Sequence, residues 1–329
     1  MDATIGGRLV IEVPNENIFV AIAAYREPEL RRTIDHCIAM ADQPDRLRFG
    51  VCLQYELDGP PETRPDCLDR VEAEIRLDTH HWTDSKGGCW ARDRAQRLFD
   101  GEGFTLQIDA HMRMAPGWDR VLIDEMRSLP SDKPLITGHC PLYDVVDGVD
   151  VIPPDVTVPV TVFERISPEG WVWHPGIDRP DEPASRRPTR AVSGGLVFTL
   201  GVWTVEVHQD PEHLYSGEEL ALTIRSFTHG YDLWNPPQVA AWHRHHPDGN
   251  RKFIHDGPDD EVEARHRRAC RRLRTLHRGD PDRILGRFGV GSARTVSEYH
   301  AWAGIDVASW TISDDARNGV TPEPFTPPW

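Results

Sequence analysis

The chain has 329 residues, of which 53 are acidic and 37 are basic, so that its net charge is −16. This charge argues against nonspecific binding of nucleic acids or anionic membranes as its main role. No apolar run approaches the ~20 residues that a membrane-spanning helix needs. The six cysteines form no C-x-x-C pair and no signal peptide opens the chain, so we expect a cytoplasmic protein with one large domain or two smaller ones.

The first predicted elements are a strand, a helix and a second strand. Residues 18–24 form a continuous apolar run, which is typical of a strand covered on both faces. Apolar residues recur at helical spacing over 30–41, and 48–55 are predicted to form the second strand. This order predicts a parallel sheet with a right-handed crossover. Because no G-x-G-x-x-G motif follows the first strand, a nucleotide would have to be held by side chains and a metal.

The chain continues with alternating predicted strands and helices. In order, these are a strand over 71–77, a helix that begins at Gly87 and Gly88, a strand that ends near Asp109, a helix over 118–129, strands over 135–139, 156–163 and 191–200, and helices over 218–229 and beyond 255. Pro159 makes the strand over 156–163 an edge strand or hairpin arm. Gly194 and Gly195 lie inside the apolar run over 191–200, which indicates a close approach to the backbone or a β-bulge.

Two residues suited to metal binding lie at the end of the strand that begins at Phe104. Asp109 and His111 are two positions apart, so on a strand end their side chains point to the same side. A carboxylate and an imidazole placed in this way form half of a divalent metal site, at the strand end where α/β sheets bind ligands. The alternative is a surface aspartate and a histidine packed under a loop. The tract Trp242–His246 offers further imidazoles, as metal ligands or as part of a polar loop.

Several motifs resemble those of a known enzyme family. They are IFVAIAAYREPE at Ile18–Glu29, GCWAR at Gly88–Arg92, LQIDAHMRMAPGW at Leu106–Trp118, GEE at Gly217–Glu219 and RSFTHGY at Arg225–Tyr231. In this order they resemble the metal-dependent polypeptide N-acetylglucosaminyltransferases that modify hydroxyproline, threonine or serine side chains. The resemblance covers about residues 17–246 and leaves the tail beyond 255 unmatched.

A more distant resemblance is to the polypeptide N-acetylgalactosaminyltransferases. Those enzymes carry an Asp-x-His motif, a Gly-Gly strand, a Gly-Gly-Glu-Asn helix start and a Pro-x5-His metal ligand. The counterparts in this chain are Asp109 with His111, Gly194–Phe198, Ser216–Glu219, and Pro237 with His243. The resemblance makes His243 the third metal ligand, with His245 and His246 as alternatives. The chain differs in having Glu219 where that family has asparagine.

The resemblance implies an α/β GT-A-type glycosyltransferase fold, with a Rossmann-like mixed sheet flanked by helices and a helical C-terminal extension. We place the catalytic domain at residues 1–255 and the basic helical extension and tail at 256–329. The implied reaction is the retaining transfer of a sugar from a UDP-sugar to a hydroxyl acceptor. N-acetylglucosamine is the expected sugar.

Each candidate site residue has an expected role. Asp109, His111 and His243 are expected to bind Mn²⁺ (or Mg²⁺), because a mixed oxygen and nitrogen ligand set suits Mn²⁺ better than Zn²⁺. The expected catalytic residues are Asp109 and Glu218. The expected substrate-binding residues are Arg92 and Arg244 or Arg251 for the diphosphate, Tyr25, Arg26 and Asp78 for uracil and ribose, and Gly194, Gly195 and Glu218, beside Glu219, for the donor sugar.

Two other functions would use the same residues: a metal-dependent phosphoester hydrolase, and a non-catalytic nucleotide-sugar-binding protein. The acceptor stays open between a protein side chain, a glycan and a small metabolite, because acceptor surfaces are built from loops. The segment over 144–190 and the region around Trp234 are its expected walls. The basic run Arg265–Arg274 is interpreted either as a solvated helix face or as an anion- or acceptor-facing surface. No nucleic-acid partner is expected.

Overall fold

A mixed β-sheet of eight strands lies at the centre of the computed structural model, which describes residues 4–5, 8–9, 12–182, 185–215, 217–244 and 253–326. The strands of this sheet and of a second, four-stranded sheet are β1 (Ile18–Tyr25), β2 (Leu47–Tyr55), β3 (Glu74–His81), β4 (Phe104–Asp109), β5 (Met112–Met114), β6 (Pro134–Thr137), β7 (Leu142–Val146), β8 (Val149–Val151), β9 (Arg187–Pro188), β10 (Leu196–Leu200), β11 (Asp232–Asn235) and β12 (Ala241–Arg244). The large sheet has the order β9-β11-β6-β10-β4-β1-β2-β3, and the small sheet has the order β8-β7-β12-β5.

Helices flank the large sheet and form most of the C-terminal part of the chain. They are α1 (Leu30–Met40), α2 (Gly88–Gln96), α3 (Trp118–Ser128), α4 (Trp203–Glu206), α5 (Glu218–Thr228), α6 (Phe253–Asp256), α7 (Asp259–His277), α8 (Val296–Ala303) and α9 (Asp314–Arg317). Short 3₁₀ turns and two-stranded ribbons connect these elements, the latter at Thr4–Ile5 with Arg8–Leu9, Val160–Thr161 with Gly176–Ile177, Arg165–Ile166 with Val172–Trp173, and Ile305–Asp306 with Thr311–Ile312. Within the described ranges, every helix is too short or too polar to cross a bilayer.

The strands β3, β2, β1 and β4 are all parallel, so their carboxyl ends meet at one edge of the large sheet. The ladder pairs Ala23 of β1 with Asp109, the last residue of β4. Strand β10 runs antiparallel to both β4 and β6, which makes the sheet mixed. The predicted β-α-β opening is therefore confirmed, and Asp109 lies at the edge where ligands of α/β sheets bind.

Strand β1 is apolar throughout because both of its faces are covered. Val20 and Ile22 belong to the hydrophobic cluster that includes α1 and α3 on one side of the sheet. Phe19 and Ala21 pack with α2 on the other side. Since side chains alternate along a strand, a strand buried on both faces needs a continuous apolar run rather than an alternating one.

The C-terminal helices pack against α5 and share a hydrophobic cluster with it. The cluster joins Leu220 and Phe227 of α5 to Leu273 of α7 and Tyr299 of α8. The domain boundary at residue 255 stays a prediction, and this cluster includes residues on both sides of it. The positive charges of α7 mostly have acidic partners, so much of the basic run forms a paired, solvated face; the ion pairs are Arg265–Glu261, Arg267–Glu263, Arg268–Glu212 and Arg272–Asp210.

Three strands differ from their predicted bounds. The strand predicted over 71–77 forms later, as β3 (Glu74–His81), after a turn in which the backbone at Arg70 has a positive φ of 62°. The strand predicted over 191–200 begins only at Leu196, because the backbone of Gly194 bonds side chains instead of a neighbouring strand. Of the strand predicted over 156–163, only Val160–Thr161 forms, since Pro159 has no N–H to donate.

Candidate active site

The pairing of β12 with β5 brings two distant histidines together. His243 of β12 is opposite Met112, and the backbone N–H of Arg244 donates to the carbonyl of His111 at 3.0 Å. As a result the Nε2 atoms of His111 and His243 lie 2.9 Å apart, and His243 Nε2 lies 3.5 Å from Asp109 Oδ2. The register of one short β-ladder therefore assembles the three predicted metal ligands, although 132 positions separate the two histidines.

The donor set formed by Asp109, His111 and His243 fits a divalent metal. One nitrogen or oxygen of each residue lies within 4.8 Å of the others. His111 Nδ1 lies 3.0 Å from Glu27 Oε2, and a proton on Nδ1 leaves the Nε2 lone pair directed at the cluster. One carboxylate oxygen and two imidazole nitrogens form a mixed donor set of the kind that binds first-row divalent ions. The identity of the metal stays a prediction.

Arg92 of α2 joins the predicted metal site to the start of α5. Its guanidinium donates to Asp109 Oδ1 at 3.0 Å and to Glu218 Oε1 at 3.1 Å. Burial raises the pKa of Asp109, but the hydrogen bond with His243 and the charge of Arg92 outweigh it and hold the pKa well below its usual range. Asp109 is therefore an anion that can accept a metal over a wide pH range.

Glu218 is the first residue of α5 and is held at both carboxylate oxygens. Arg92 donates to Oε1, and the buried thiol of Cys89 donates to Oε2 at 2.5 Å. Burial raises the pKa of Glu218, and the charge of Arg92 offsets only part of this effect. Burial also raises the pKa of Cys89 far above that of a free thiol, so Cys89 stays protonated and continues to donate. The sequence analysis missed Cys89, because a single cysteine in an apolar segment carries no signal of this contact.

A first cavity of about 250 Å³ opens beside the cluster, at the carboxyl edge of the parallel strands. Tyr25, Gln54 and Ser85 line it, together with Asp109 and Glu218. The hydroxyl of Ser85 donates to the side-chain oxygen of Gln54 at 2.5 Å, which adds polar groups to the lining. A cavity lined by an aromatic ring, polar groups and charged groups suits a ligand that combines a flat ring with charged groups, such as a nucleotide.

Arg26, Asp78 and Arg244 are among the predicted substrate-binding residues that do not line this cavity, and all three are paired with protein groups. Arg26 contacts Glu56 and Asp256 and lies over the Trp82 ring, with its guanidinium carbon 4.7 Å from the ring centroid. Asp78 pairs with Arg94 and His80, and Arg244 donates to Glu29 at 2.6 Å. Their roles stay predictions. His245, His246, Arg251 and Ser216 lie outside the described residues.

Asp78 also belongs to a second cluster of potential metal ligands, with Cys52 and His80. Arg94 is ion-paired with the Asp78 carboxylate. Its guanidinium therefore already supplies the positive charge that a bound cation would bring. Burial raises the pKa of Cys52 well above that of a free thiol, which disfavours the thiolate that a metal needs. This second cluster is therefore a poor metal site.

A second cavity of about 360 Å³ shares the lining residues Arg92 and Glu218 with the first. Trp171, Trp173 and His174 line it and come from the segment over 144–190 that was expected to form an acceptor wall. Trp234, the other expected wall, is 6% exposed and packs in the hydrophobic core instead. The sequence analysis did not single out His174, since an isolated histidine in a loop has no pattern.

The glycine pair lies between Arg92 and Asp109, in the turn before β10. A Cβ atom on Gly194 would lie 2.8 Å from an Arg92 nitrogen, and one on Gly195 would lie 3.2 Å from Asp109 Oδ2. The backbone N–H of Gly194 donates to Glu219 Oε1 at 2.6 Å, and its carbonyl accepts from Gln107 at 3.0 Å. Close approach therefore explains the two glycines, and the β-bulge alternative is wrong.

Comparison with known proteins identifies the family. The chain matches the model of the family "Glycosyltransferase (GlcNAc)" over residues 17–73 and 65–309, and it belongs to this family of glycosyltransferases. A search of curated proteins finds no significant match.

Solved structures with the same fold include the crystal structure of GalNAc-T7 with UDP, GalNAc and Mn²⁺, with a TM-score of 0.59 and 14% identity. The match covers 87% of this chain and 54% of that chain, so the protein spans about half the length of that relative. The likeness confirms the predicted GT-A fold. Weaker matches are S. aureus TarS 1–349 (TM-score 0.42, 13% identity, 69% of this chain and 60% of that one) and the same protein with UDP-GlcNAc (0.43, 13%, 71% and 60%).

Proposed function

We propose that the protein is a retaining glycosyltransferase that moves N-acetylglucosamine from UDP-N-acetylglucosamine to a hydroxyl acceptor, with Mn²⁺ (or Mg²⁺) held by Asp109, His111 and His243. Membership of the "Glycosyltransferase (GlcNAc)" family supports the choice of sugar. The crystal structure of GalNAc-T7 with UDP, GalNAc and Mn²⁺, which shares the fold, is consistent with a uridine nucleotide and a divalent metal at this site.

The observation that carries the proposal is the convergence of Asp109, His111 and His243 at the mouth of the first cavity. Their donor atoms lie within 4.8 Å of one another, and all three residues line that cavity. A nucleotide bound along the cavity would extend from Tyr25, which we propose stacks on the uracil ring, to Asp109 at the diphosphate end. The cavity volume of about 250 Å³ lies just below the range of about 300–1,000 Å³ that is usual for ligand pockets.

The chain's own residues hold the reacting groups in place. A bound divalent cation would stabilise the negative charge that develops on the departing diphosphate. Arg92 is fixed by two carboxylates, so its guanidinium is oriented before any substrate binds. Glu218 lines both cavities, where it can accept hydrogen bonds from the hydroxyls or acetamide of the donor sugar. Gly194 and Gly195 leave room for the Arg92 and Asp109 side chains beside the backbone, and Gly195, which lines the second cavity, would contact that sugar.

The proposed contacts of Arg26, Asp78 and Arg244 with the nucleotide are less direct than those of the other residues. Each of them would have to exchange a protein partner for the nucleotide, namely Glu56, Arg94 and Glu29 respectively. The acceptor stays a hydroxyl group. The motifs shared with polypeptide N-acetylglucosaminyltransferases make a protein side chain one candidate, beside a glycan and a small metabolite.

The test is release of UDP from a panel of UDP-sugars by the purified protein in the presence of Mn²⁺. We expect the highest rate with UDP-N-acetylglucosamine, and loss of the activity in EDTA and in Asp109→Ala. The matched control is Asp66→Ala, since the Asp66 carboxylate is 62% exposed and distant from the site in the chain. The configuration of the product's anomeric carbon, measured by NMR, tests the retaining outcome.

Absence of turnover with every UDP-sugar, or turnover that survives both EDTA and Asp109→Ala, would contradict the proposal. Hydrolysis of simple phosphoesters, with water as the sole acceptor, would indicate the metal-dependent hydrolase instead. Binding of UDP-N-acetylglucosamine in calorimetry with no UDP formed over hours would indicate a non-catalytic binding protein.

A further inference from the structure

A third cavity, of about 440 Å³, lies at the C-terminal end of α7 and is separate from the other two. Its lining residues are Pro168, Arg274, His277, Arg278, Val307 and Trp310, and none of them lines the first or the second cavity. Among the described residues of this lining, two are arginines and none is acidic. The cavity is therefore positively charged in a chain whose net charge is −16.

The arginines of α7 and its C-cap differ in their partners. The paired ones, each bonded to a glutamate or an aspartate, are Arg265, Arg267, Arg268 and Arg272. Within the described ranges, by contrast, Arg271, Arg274 and Arg278 form no ion pair, and the Arg274 guanidinium donates to the backbone carbonyl of Pro168 at 2.8 Å. The basic run is thus a solvated face in its paired members, whereas the other three guanidinium groups remain available to an anion.

The three unpaired arginines form a stripe along one side of the helix. Arg274 and Arg278 line the cavity, and Arg271 lies one turn before them. Their spacing places them one above another, over about 10 Å of the helix axis. We call Arg271, Arg274 and Arg278 the arginine stripe. A ligand with several anionic groups in a row would contact the whole stripe, whereas a single phosphate would not reach all three guanidinium groups.

An indole ring forms the apolar part of the cavity, beside Val307 and Pro168. Trp310 has a left-handed backbone, with a φ of 53°, which is uncommon for a bulky residue and persists only where the surroundings hold it. Its ring meets the His277 ring edge-on, with 5.6 Å between the centroids, and a Cβ atom on Gly170 would lie 3.2 Å from it. The ring is therefore fixed between α7 and the turn at Gly170, where it can contact an apolar group of a ligand.

One hairpin connects this cavity with the second one. Its arms are the paired segments Arg165–Ile166 and Val172–Trp173, and the backbone N–H of Ser167 donates to the carbonyl of Trp171 at 2.8 Å, which closes a tight turn at Pro168. Pro168 lines the third cavity and Trp171 lines the second. Since three residues of extended chain span at most about 11 Å, the two cavities are neighbours.

The packing around Gly217 joins the same elements to the active site. Gly217 precedes Glu218 at the start of α5 and lines the second cavity. A Cβ atom there would lie 2.6 Å from a methyl carbon of Leu273 and 3.1 Å from Trp171. The residue before Arg274 thus packs on the turn that carries Glu218, so a ligand along the arginine stripe would lie beside the elements that form the active site.

We propose that the third cavity and the arginine stripe bind an acidic peptide segment of the acceptor. This inference rests on the proposed function, and it adds a binding site for the acceptor away from the reacting groups. Carboxylates along an extended peptide would pair with the arginines, and an apolar side chain between them would contact Trp310. A residue a few positions along the same peptide would then bring its hydroxyl to the active site.

The charge of the whole chain favours a short anionic segment over a larger polyanion. The carboxylates next to the lining in sequence, of Glu169 and Asp306, do not line the cavity. At physiological ionic strength the field of an exposed charge extends about 8 Å, so a short peptide experiences mainly the arginine stripe. A nucleic acid or an anionic membrane would also face the rest of a chain whose net charge is −16, and would be repelled by it.

The experiment uses the purified full chain and two labelled peptides that differ only in charge. One alternates glutamate with alanine around a tyrosine and a threonine, and the other has glutamine in place of each glutamate. Fluorescence anisotropy gives the dissociation constants, and mass spectrometry follows transfer from UDP-N-acetylglucosamine to the threonine. We expect the acidic peptide to bind at least about tenfold more tightly, with a lower KM, a similar kcat and a preference that decreases as salt is raised.

Substitutions on α7 and its C-cap test the assigned residues. Arg278→Gln is expected to weaken binding of the acidic peptide about fivefold, and the double variant Arg274→Gln with Arg278→Gln about 30-fold, the scale of one and two charged contacts at a partly exposed site. The matched control is Arg267→Gln on the same helix, where the side chain is 55% exposed and paired with Glu263. Release of UDP without peptide is expected to be the same in all these variants.

A charge reversal distinguishes direct contact from a structural role. A peptide with lysine in place of glutamate is expected to bind Arg278→Glu more tightly than it binds the unmodified protein. A purely structural role of Arg278 would not produce this gain, so its absence, together with unchanged binding of the acidic peptide, would overturn the assignment.

The outcomes separate this inference from the proposed function. Binding of the acidic peptide that is lost in the double variant, without UDP release from any donor, would support the peptide site and contradict the proposed donor chemistry. Normal UDP release with no preference for the acidic peptide would overturn this inference alone. Equal losses in Arg267→Gln and Arg278→Gln would place the peptide elsewhere. Equally tight binding of inorganic phosphate, in competition with the peptide, would indicate a site for a single oxyanion and overturn the peptide ligand.

Discussion

The protein contains two pairs of histidines at the same separation, and their surroundings make them different. In the first pair, the Nε2 atoms of His111 and His243 are 2.9 Å apart, beside the carboxylates of Asp109 and Glu27. In the second pair, His277 Nδ1 and His300 Nε2 are also 2.9 Å apart, between α7 and α8. The second pair belongs to no cluster of potential metal ligands among the described residues.

The neighbours of each pair explain the difference. His243 is 31% exposed at the mouth of a cavity, and Arg92 holds the adjacent Asp109 in its ionised form. His277 is 7% exposed, and its Nε2 donates to the backbone carbonyl of Gly170 at 2.7 Å. Burial lowers the pKa of both His277 and His300, so the second pair is neutral. A short contact between histidines therefore indicates a metal site only where a carboxylate and an opening accompany it.

The largest expected effect separates the two pairs by activity. We expect His243→Ala to lower kcat for UDP release by about 10²–10³-fold, the range seen when a group that stabilises developing charge is removed. His300→Gln is expected to leave kcat within about twofold of that of the unmodified protein, because this substitution changes only the packing between α7 and α8. Equal losses in both variants, with circular dichroism spectra like that of the unmodified protein, would contradict the assignment of the first pair.

Metal binding gives the next effect. At a Mn²⁺ concentration one hundred times its dissociation constant, the folded state should gain about 2.7 kcal/mol, which corresponds to a rise in melting temperature of a few degrees. The rise should be present in the unmodified protein and in His300→Gln and absent in His243→Ala. A rise of the same size in all three proteins would place the metal elsewhere.

The ion pair between Arg92 and Glu218 lies beside the first histidine pair. Among the described residues, the second histidine pair has no comparable ion pair beside it. Glu218→Gln removes the charge that, with Asp109, fixes the guanidinium. We expect a loss of about tenfold in kcat, in line with one charge-assisted hydrogen bond. Glu62→Gln on the exposed surface is the matched control. An unchanged kcat in Glu218→Gln would show that Asp109 alone orients Arg92.

The last expected effect is on stability and belongs to the second pair. Burial lowers the pKa of His300 from 6.5 to about 4, so between these values the unfolded chain binds more protons than the folded one. The contribution of neutral, buried His300 to the free energy of unfolding is complete above pH 6.5. This contribution is lost as the pH falls toward 4, by up to about 1.4 kcal/mol per pH unit. The free energy of unfolding, measured by denaturant melts, should depend less steeply on pH in His300→Gln than in the unmodified protein. Identical dependence in both proteins would contradict this role.

Much of the fold was predictable, because period and composition report directly on burial. The continuous apolar run over 18–24 is typical of a strand covered on both faces, and helical spacing over 30–41 and 118–129 indicates one buried face. The Asp-x-His motif at Asp109 was visible because both residues lie within one local element. The turn at Gly194 was predicted wrongly as part of a strand, because its backbone bonds side chains that are distant in sequence.

By itself, the sequence determined the parallel strands, the edge where their carboxyl ends meet and the two metal-ligand candidates that share one strand end, because these depend on residues a few positions apart. The resemblance named His243 as the third metal ligand, and the tertiary structure brings it to His111. The tertiary structure alone decided that Arg92 joins Asp109 to Glu218, and that Cys89 and His174 contact glutamates of the site. Such contacts depend on which strands pair and in which register, and that choice is made by the packing of the whole chain.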